Sequence, residues 1–93
     1  MVRHVVCHKI KDKSDASEIG EMLKALVGVV PGLKDMEVGV DFLESARSYD
    51  LVLIATFDDR EGLARYDAHP EHQKVRRFIH ERRVSSVAVD YEF

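Results

Sequence analysis

The run Tyr66-Asp67-Ala68-His69-Pro70-Glu71-His72 brings a phenol and two imidazoles together around a proline. Proline suits the first position of a helix, where its missing N–H costs nothing, so a helix starts at Pro70 with His72 in its first turn. His72 precedes Val75 by three residues and Ile79 by seven, which turns it toward the apolar side of that helix. The positive end of the helix disfavours an imidazolium there, leaving a neutral ring able to accept a proton. Tyr66 closes a preceding short helix three residues after Leu63, so its ring enters the core while its hydroxyl needs a polar partner. A tyrosine and a neutral histidine beside Leu63, Val75 and Ile79 could polarise a carbonyl and remove a proton, with His72 as general base. The same two side chains could instead satisfy one another through a buried hydrogen bond.

The remaining histidines divide by position. His4 and His8 share a face of the first strand and stand roughly 13 Å apart, too far to chelate one ion together. His69 precedes the second helical segment as a cap or surface group, and His80 lies with Gln73, Arg76 and Arg77 on the polar side of that helix. The pair His69 and His72 is spaced i, i+3 across a break, unlike the i, i+4 pair of a helical zinc motif. The sequence therefore implies neither a metal nor another cofactor. Its single cysteine, Cys7, has no partner for an internal disulfide and sits in an apolar run, where a thiol behaves as a small hydrophobe.

These groups need a scaffold, and periodicity supplies one. Val2 to Ile10 alternates with apolar groups on both faces, the pattern of an inner strand. Asp15 and Glu18 have a capping-box-like spacing before Ile19, Met22, Leu23, Leu26, Val27 and Val30, which predict a helix ended by Gly28 and Pro31-Gly32. Met36, Val38, Val40 and Phe42 alternate with polar residues and glycine, as in an edge strand with one wet face. Tyr49 to Phe57 is nearly continuous apolar sequence, which predicts a second inner strand. Asp58 and Asp59 can cap a short helix through Arg65 and Tyr66, and the helix from Pro70 runs to about Arg82. Val87, Val89, Tyr91 and Phe93 then alternate into a last strand.

The 93 residues make one domain, residues 1–93, with a thin core that a second subunit would help. Strand and helix order βαββαβ, with right-handed crossovers, gives a ferredoxin-like α+β sandwich whose second helix is broken in two and whose first and third strands are central. Helices cover one face of the sheet. Val52 and Ile54 oppose Leu51 and Leu53 in the third strand, so the other face is apolar too, and a homodimer with sheets paired across a twofold axis would cover it. A net charge of -3 does not favour nucleic acid, and the two central strands lack the stacking aromatics of RNA-binding sheets. No apolar run is long enough for a bilayer and no secretory signal is visible, so the expectation is a cytoplasmic protein with no membrane partner.

Arg3-His4-Val5-Val6, Val38-Gly39, Ser48-Tyr49-Asp50-Leu51-Val52-Leu53, Thr56-Phe57, the Tyr66 to His72 run and Asp90-Tyr91 together resemble the stress-responsive A/B barrel domain family over nearly the whole chain. The resemblance implies a ferredoxin-like subunit whose sheet pairs with a partner's to form a dimeric α/β barrel. It also implies a small, largely apolar ligand held between sheet and helices, with Tyr66 and His72 at the positions that carry aldol chemistry in plant polyketide cyclases such as the olivetolic acid cyclase. Substrate-binding positions on this reading are His4, His8, Leu23, Leu63 and Val75. The alternative to binding alone is a cofactor-independent cyclase, isomerase or lyase; a cofactor-free monooxygenase is a weaker analogy of fold. Some plant members hold a cation on backbone carbonyls matching Val27, Val30 and Leu33. This sequence departs from the family pattern at His8, which replaces a large apolar residue, and at Gly20, Leu23 and Arg83, which replace bulky aromatic positions.

Overall fold

The computed structural model describes residues 1–93. Strand β1 (Val2–Ile10) leads through a short 3₁₀ turn, Lys13–Asp15, into helix α1 (Ala16–Lys24) and strand β2 (Leu33–Val40). Strand β3 (Leu51–Phe57) is followed by helices α2 (Arg60–Ala68) and α3 (Pro70–Arg82) and by strand β4 (Arg83–Glu92). The sheet order is β2-β3-β1-β4, antiparallel throughout, with β1 and β3 central. This is the ferredoxin-like arrangement that the pattern predicts, because the two strands apolar on both faces take the two positions with neighbours on both sides.

The core lies between one face of this sheet and the helices. β1 contributes Val2, Val6 and Ile10, and β3 contributes Leu51, Leu53, Ala55 and Phe57, all buried. Ile19 and Leu23 of α1, Tyr66 of α2, and Val75 and Ile79 of α3 pack onto them. Each fully buried side chain of this size stabilises the fold by about 1.5–3 kcal/mol relative to exposure. Gly20 lets α1 lie close on β2, since a Cβ there would meet Cγ1 of Val38 at 3.1 Å. The space that a larger side chain would take at Gly20 is thus filled from the sheet.

Several local expectations are corrected. The first helix stops at Lys24 instead of reaching Val30, because tight turns begin at Leu26 and Val27 and Gly28 adopts φ +87°. Leu26 and Val30 still reach the core from those turns, whereas Val27 is 41% exposed. Asp15 makes no capping hydrogen bond; the cap sits earlier, where the Asp12 carboxylate accepts from the Ser14 N–H at 3.0 Å. β2 ends at Val40, because the Asp41 carboxylate turns the chain by accepting the Glu44 N–H at 2.7 Å. Phe42 is consequently 92% exposed instead of lying on a buried strand face. β4 starts at Arg83, several residues before the predicted alternation.

Both later helices start as expected. The Asp59 side chain accepts from the Gly62 N–H at 2.8 Å, and Pro70 opens α3 behind His69, whose Nδ1 accepts from the Glu71 N–H at 3.1 Å. His69 is therefore spent as a helix cap.

Candidate functional site

The corner at His69-Pro70 sets α3 at an angle to α2 and places His72 against Tyr66, their ring centroids 4.1 Å apart at 35°. Tyr66 is 1% exposed and also lies against Phe57, at 5.2 Å, and edge-on to His4, at 6.4 Å. Tyr66 and His72 meet as tilted rings, and His72 Nδ1 bonds instead to the Asp67 carbonyl at 3.2 Å. A carbonyl only accepts, so Nδ1 carries the proton and in the neutral ring the lone pair resides on Nε2. Burial lowers the His72 pKa, an effect the Asp67 hydrogen bond opposes without cancelling. Burial thus favours the neutral ring that the sequence predicts from the helix start. Burial, helped by the Asp67 charge, raises the Tyr66 pKa and keeps the phenol protonated.

A cavity of about 210 Å³ opens where α3 faces the middle of β1 and β4. His4, His8 and His72 border it, over an apolar floor that includes Val6, Leu23, Leu53 and Ile79. Among the residues named from sequence, His4, His8, Leu23 and His72 are brought together here. Tyr66 and Val75 belong to the buried core and are not among the residues that border the cavity. Leu63 borders a different hollow of about 360 Å³, together with Val2, Arg60, Asp90, Tyr91 and Glu92. That hollow is larger, but the three imidazoles converge on the smaller cavity.

The polar groups at the cavity differ in how they are satisfied. Nδ1 of His4 is hydrogen-bonded to the carboxylate of Asp90, which stands directly across from it in the β1–β4 register. His8, further along β1 on the same face, is 6% exposed and its Nδ1 has no hydrogen-bond partner. Burial lowers the His8 pKa to about 4, with the nearby positive charge of Arg83 and then His4 adding to the effect. The ring is neutral at physiological pH. No three His, Cys, Asp or Glu side chains are arranged to hold a metal ion. At the end of the first helical region, the Val30 carbonyl accepts the Leu33 N–H at 3.3 Å.

Sequence reasoning missed Arg76, Asp67 and Ser86 as neighbours of this site, and it met Asp90 and Arg83 only through the family resemblance, without a place in the site. Alternation alone puts Asp90 on the face of Ser86 and Ala88, but pairing it with His4 requires the β1–β4 register, which no local signal encodes. Arg76 reads from sequence as part of the polar helix face, and Arg83 as a departure from a bulky aromatic position of the family. Arg83 in fact begins β4, pairs with Ile10 and reaches the cavity from the sheet side.

Residues 2–93 match the family model described as the Stress responsive A/B Barrel Domain. The chain is 32% identical over 78 residues to a stress-response A/B barrel domain-containing protein of Arabidopsis thaliana, an alignment that covers 81% of this chain and 30% of that protein. It thus spans less than a third of that relative's length. It is 31% identical to an uncharacterized protein of Streptomyces coelicolor over 98 aligned positions, covering all of both chains. Among solved structures it is similar to a dimeric protein of unknown function and ferredoxin-like fold from Bacteroides fragilis, at TM-score 0.89 and 27% identity over 99% of this chain and 95% of that one.

Proposed function

The chain belongs to the stress-responsive A/B barrel domain family, and from that premise we propose that it binds a small, largely apolar molecule in the cavity between sheet and helices of a homodimer. The observation that carries this reading is the 210 Å³ space itself, with an apolar floor and three imidazoles at its border. Small-molecule sites have this makeup: mostly hydrocarbon, with a few polar groups that fix orientation. The homodimer reading draws on the uncovered sheet face, where Val5, Cys7, Val52, Ile54, Val87 and Val89 form one apolar surface by register. The Bacteroides fragilis relative is described as dimeric, which agrees with it. The cytoplasmic placement rests on the sequence alone, and neither nucleic acid nor membrane enters the proposal.

Native mass spectrometry against a library of small aromatic and alkyl compounds tests the binding. The expected result is retention of at least one compound class, lost when Leu23→Trp fills the cavity; no retention by the unmodified protein would sink the proposal. Light scattering tests the assembly, and a stable monomer at micromolar concentration would defeat the dimer.

A second reading, a cofactor-independent cyclase, isomerase or lyase, is favoured by the state of His72. Its Nδ1–H is held by the Asp67 carbonyl, which leaves Nε2 unprotonated, as a general base requires. The protonated phenol of Tyr66, which no protein group within the subunit hydrogen-bonds, is suited to donate to a developing enolate oxygen. Once a substrate is found, a full-rate His72→Ala or Tyr66→Phe variant would end this reading.

A further inference from the structure

The polar groups at the cavity are matched with one another except on the side of His8. His4 is held by Asp90, and Arg76 has Asp67 at 3.9 Å as a counter-charge. Arg83 is different. Its guanidinium donates to two neutral acceptors, Ser86 Oγ at 3.3 Å and His80 Nδ1 at 3.1 Å, and it forms no ion pair. Beside it, His8 keeps an unpartnered Nδ1 in a ring more than nine-tenths buried. Leaving a buried polar atom unpaired costs about 1–3 kcal/mol, and the great majority of such atoms in folded proteins have partners.

The two unmet demands are chemically alike. A guanidinium with spare N–H donors matches a planar oxyanion, and a neutral imidazole can add one N–H donor or accept one. The facing charges on every element around the cavity point the same way. β1 brings His4, already held by Asp90; α2 brings Asp67, opposed by Arg76 of α3; β4 brings Arg83. Among the charged residues that line the cavity, Arg83 is the one without an ion-pair partner.

We infer that this cavity takes a ligand whose apolar body ends in a carboxylate, seated between the Arg83 guanidinium and the His8 ring with the hydrocarbon against Val6, Leu23, Leu53 and Ile79. The inference rests on the small-molecule reading above and specifies its head group. His8 and Arg83 act as binding residues that orient the ligand, so that its far end lies toward His72.

The test uses a matched pair of probes, 4-propylbenzoate and its neutral amide, 4-propylbenzamide, titrated calorimetrically into the unmodified protein. Charge-assisted hydrogen bonds favour the carboxylate by at least about tenfold in affinity. Arg83→Gln brings the ratio of the two affinities close to one, and Arg83→Lys restores part of it, since lysine keeps the charge without the fork. Circular dichroism melts confirm that each variant is folded, and the Lys variant serves if the Gln variant is not. Equal affinities for the two probes in the unmodified protein, or a preference that survives Arg83→Gln, overturn the head-group assignment while leaving the cavity reading standing. Binding of neither probe overturns both.

Discussion

The two faces of the sheet are built from the same four strands, yet they solve opposite problems. On the helix face, Val6, Leu53, Ala55 and Phe57 are buried by the subunit's own helices, and polar His4 and His8 are set among them. On the other face Val5, Cys7, Val52, Ile54, Val87 and Val89 are almost purely apolar, and Val89 is 63% exposed. The face with internal cover tolerates buried polar groups and a cavity. The face without it carries hydrocarbon at its centre, with Arg3, Glu37 and Lys9 at its margins by register. On the proposed reading, ligand recognition belongs to one side and association to the other, because a polar group is costly at an interface unless the partner satisfies it.

The sharpest way to break this contrast is to place a charge on the open face. Val52→Asp puts a carboxylate into the centre of the proposed interface, and twofold symmetry counts the cost twice. At about 3 kcal/mol for each uncompensated charge, the dimer dissociation constant rises by more than about a thousandfold. Light scattering then reports a monomer that keeps its far-ultraviolet circular dichroism. Loss of the subunit fold along with the dimer would mean that the two faces are not separable.

On the helix face, Phe57→Ala removes a fully buried ring that supports Tyr66 and lowers stability by about 3–5 kcal/mol. Urea denaturation measures it, and the same loss in the Val52→Asp background would confirm that it belongs to the subunit core. A cost below about 1 kcal/mol would show that this face is not the tightly packed one.

His8 gives the helix face a pH signature that the open face lacks. Its pKa falls from 6.5 to about 4 on folding, so the unfolded chain binds more protons between these values. The stability that depends on a neutral His8 is present above pH 6.5, declines as pH falls, and is gone once pH passes below about 4. The whole effect is at most on the order of 3 kcal/mol, and His72, with its pKa also lowered, adds in the same direction. His8→Phe is expected to flatten the acid limb of a plot of unfolding free energy against pH; an unchanged slope would assign it to other groups. Smallest of all, Asp59→Ala removes the α2 cap and costs about 1 kcal/mol, read by thermal melting, with no effect on the dimer.

Periodicity made the scaffold legible because alternation and helical spacing are local. β1 and β3 announce their central places by being apolar on both sides, and Pro70 announces the corner. The cavity was legible only in part. Helical spacing shows that Tyr66, Leu63 and Val75 turn inward but not which neighbours they meet, and these three do not reach the cavity border, whereas His72, His4, His8, Leu23 and Ile79 do. Arg83 could not be placed without knowing that the last strand begins there, and Asp90 could not be tied to His4 without the register. Both belong to β4, the strand whose pairing partner is farthest away in sequence.

That distance also sets an order of events. β1 leaves the ribosome first among the strands, but its pairing with β4 joins the two ends of the sequence, Val2 with Glu92 and His4 with Asp90. Long-range pairings of this kind close slowly, since the loop must be ordered before the contacts stabilise it. Until then one edge of β1 is unpaired and able to meet the wrong strand. The Asp90 brace on His4 and the Arg83 side of the cavity are therefore completed last during synthesis, and a nascent chain halted before β4 would hold the imidazoles without the wall that arranges them.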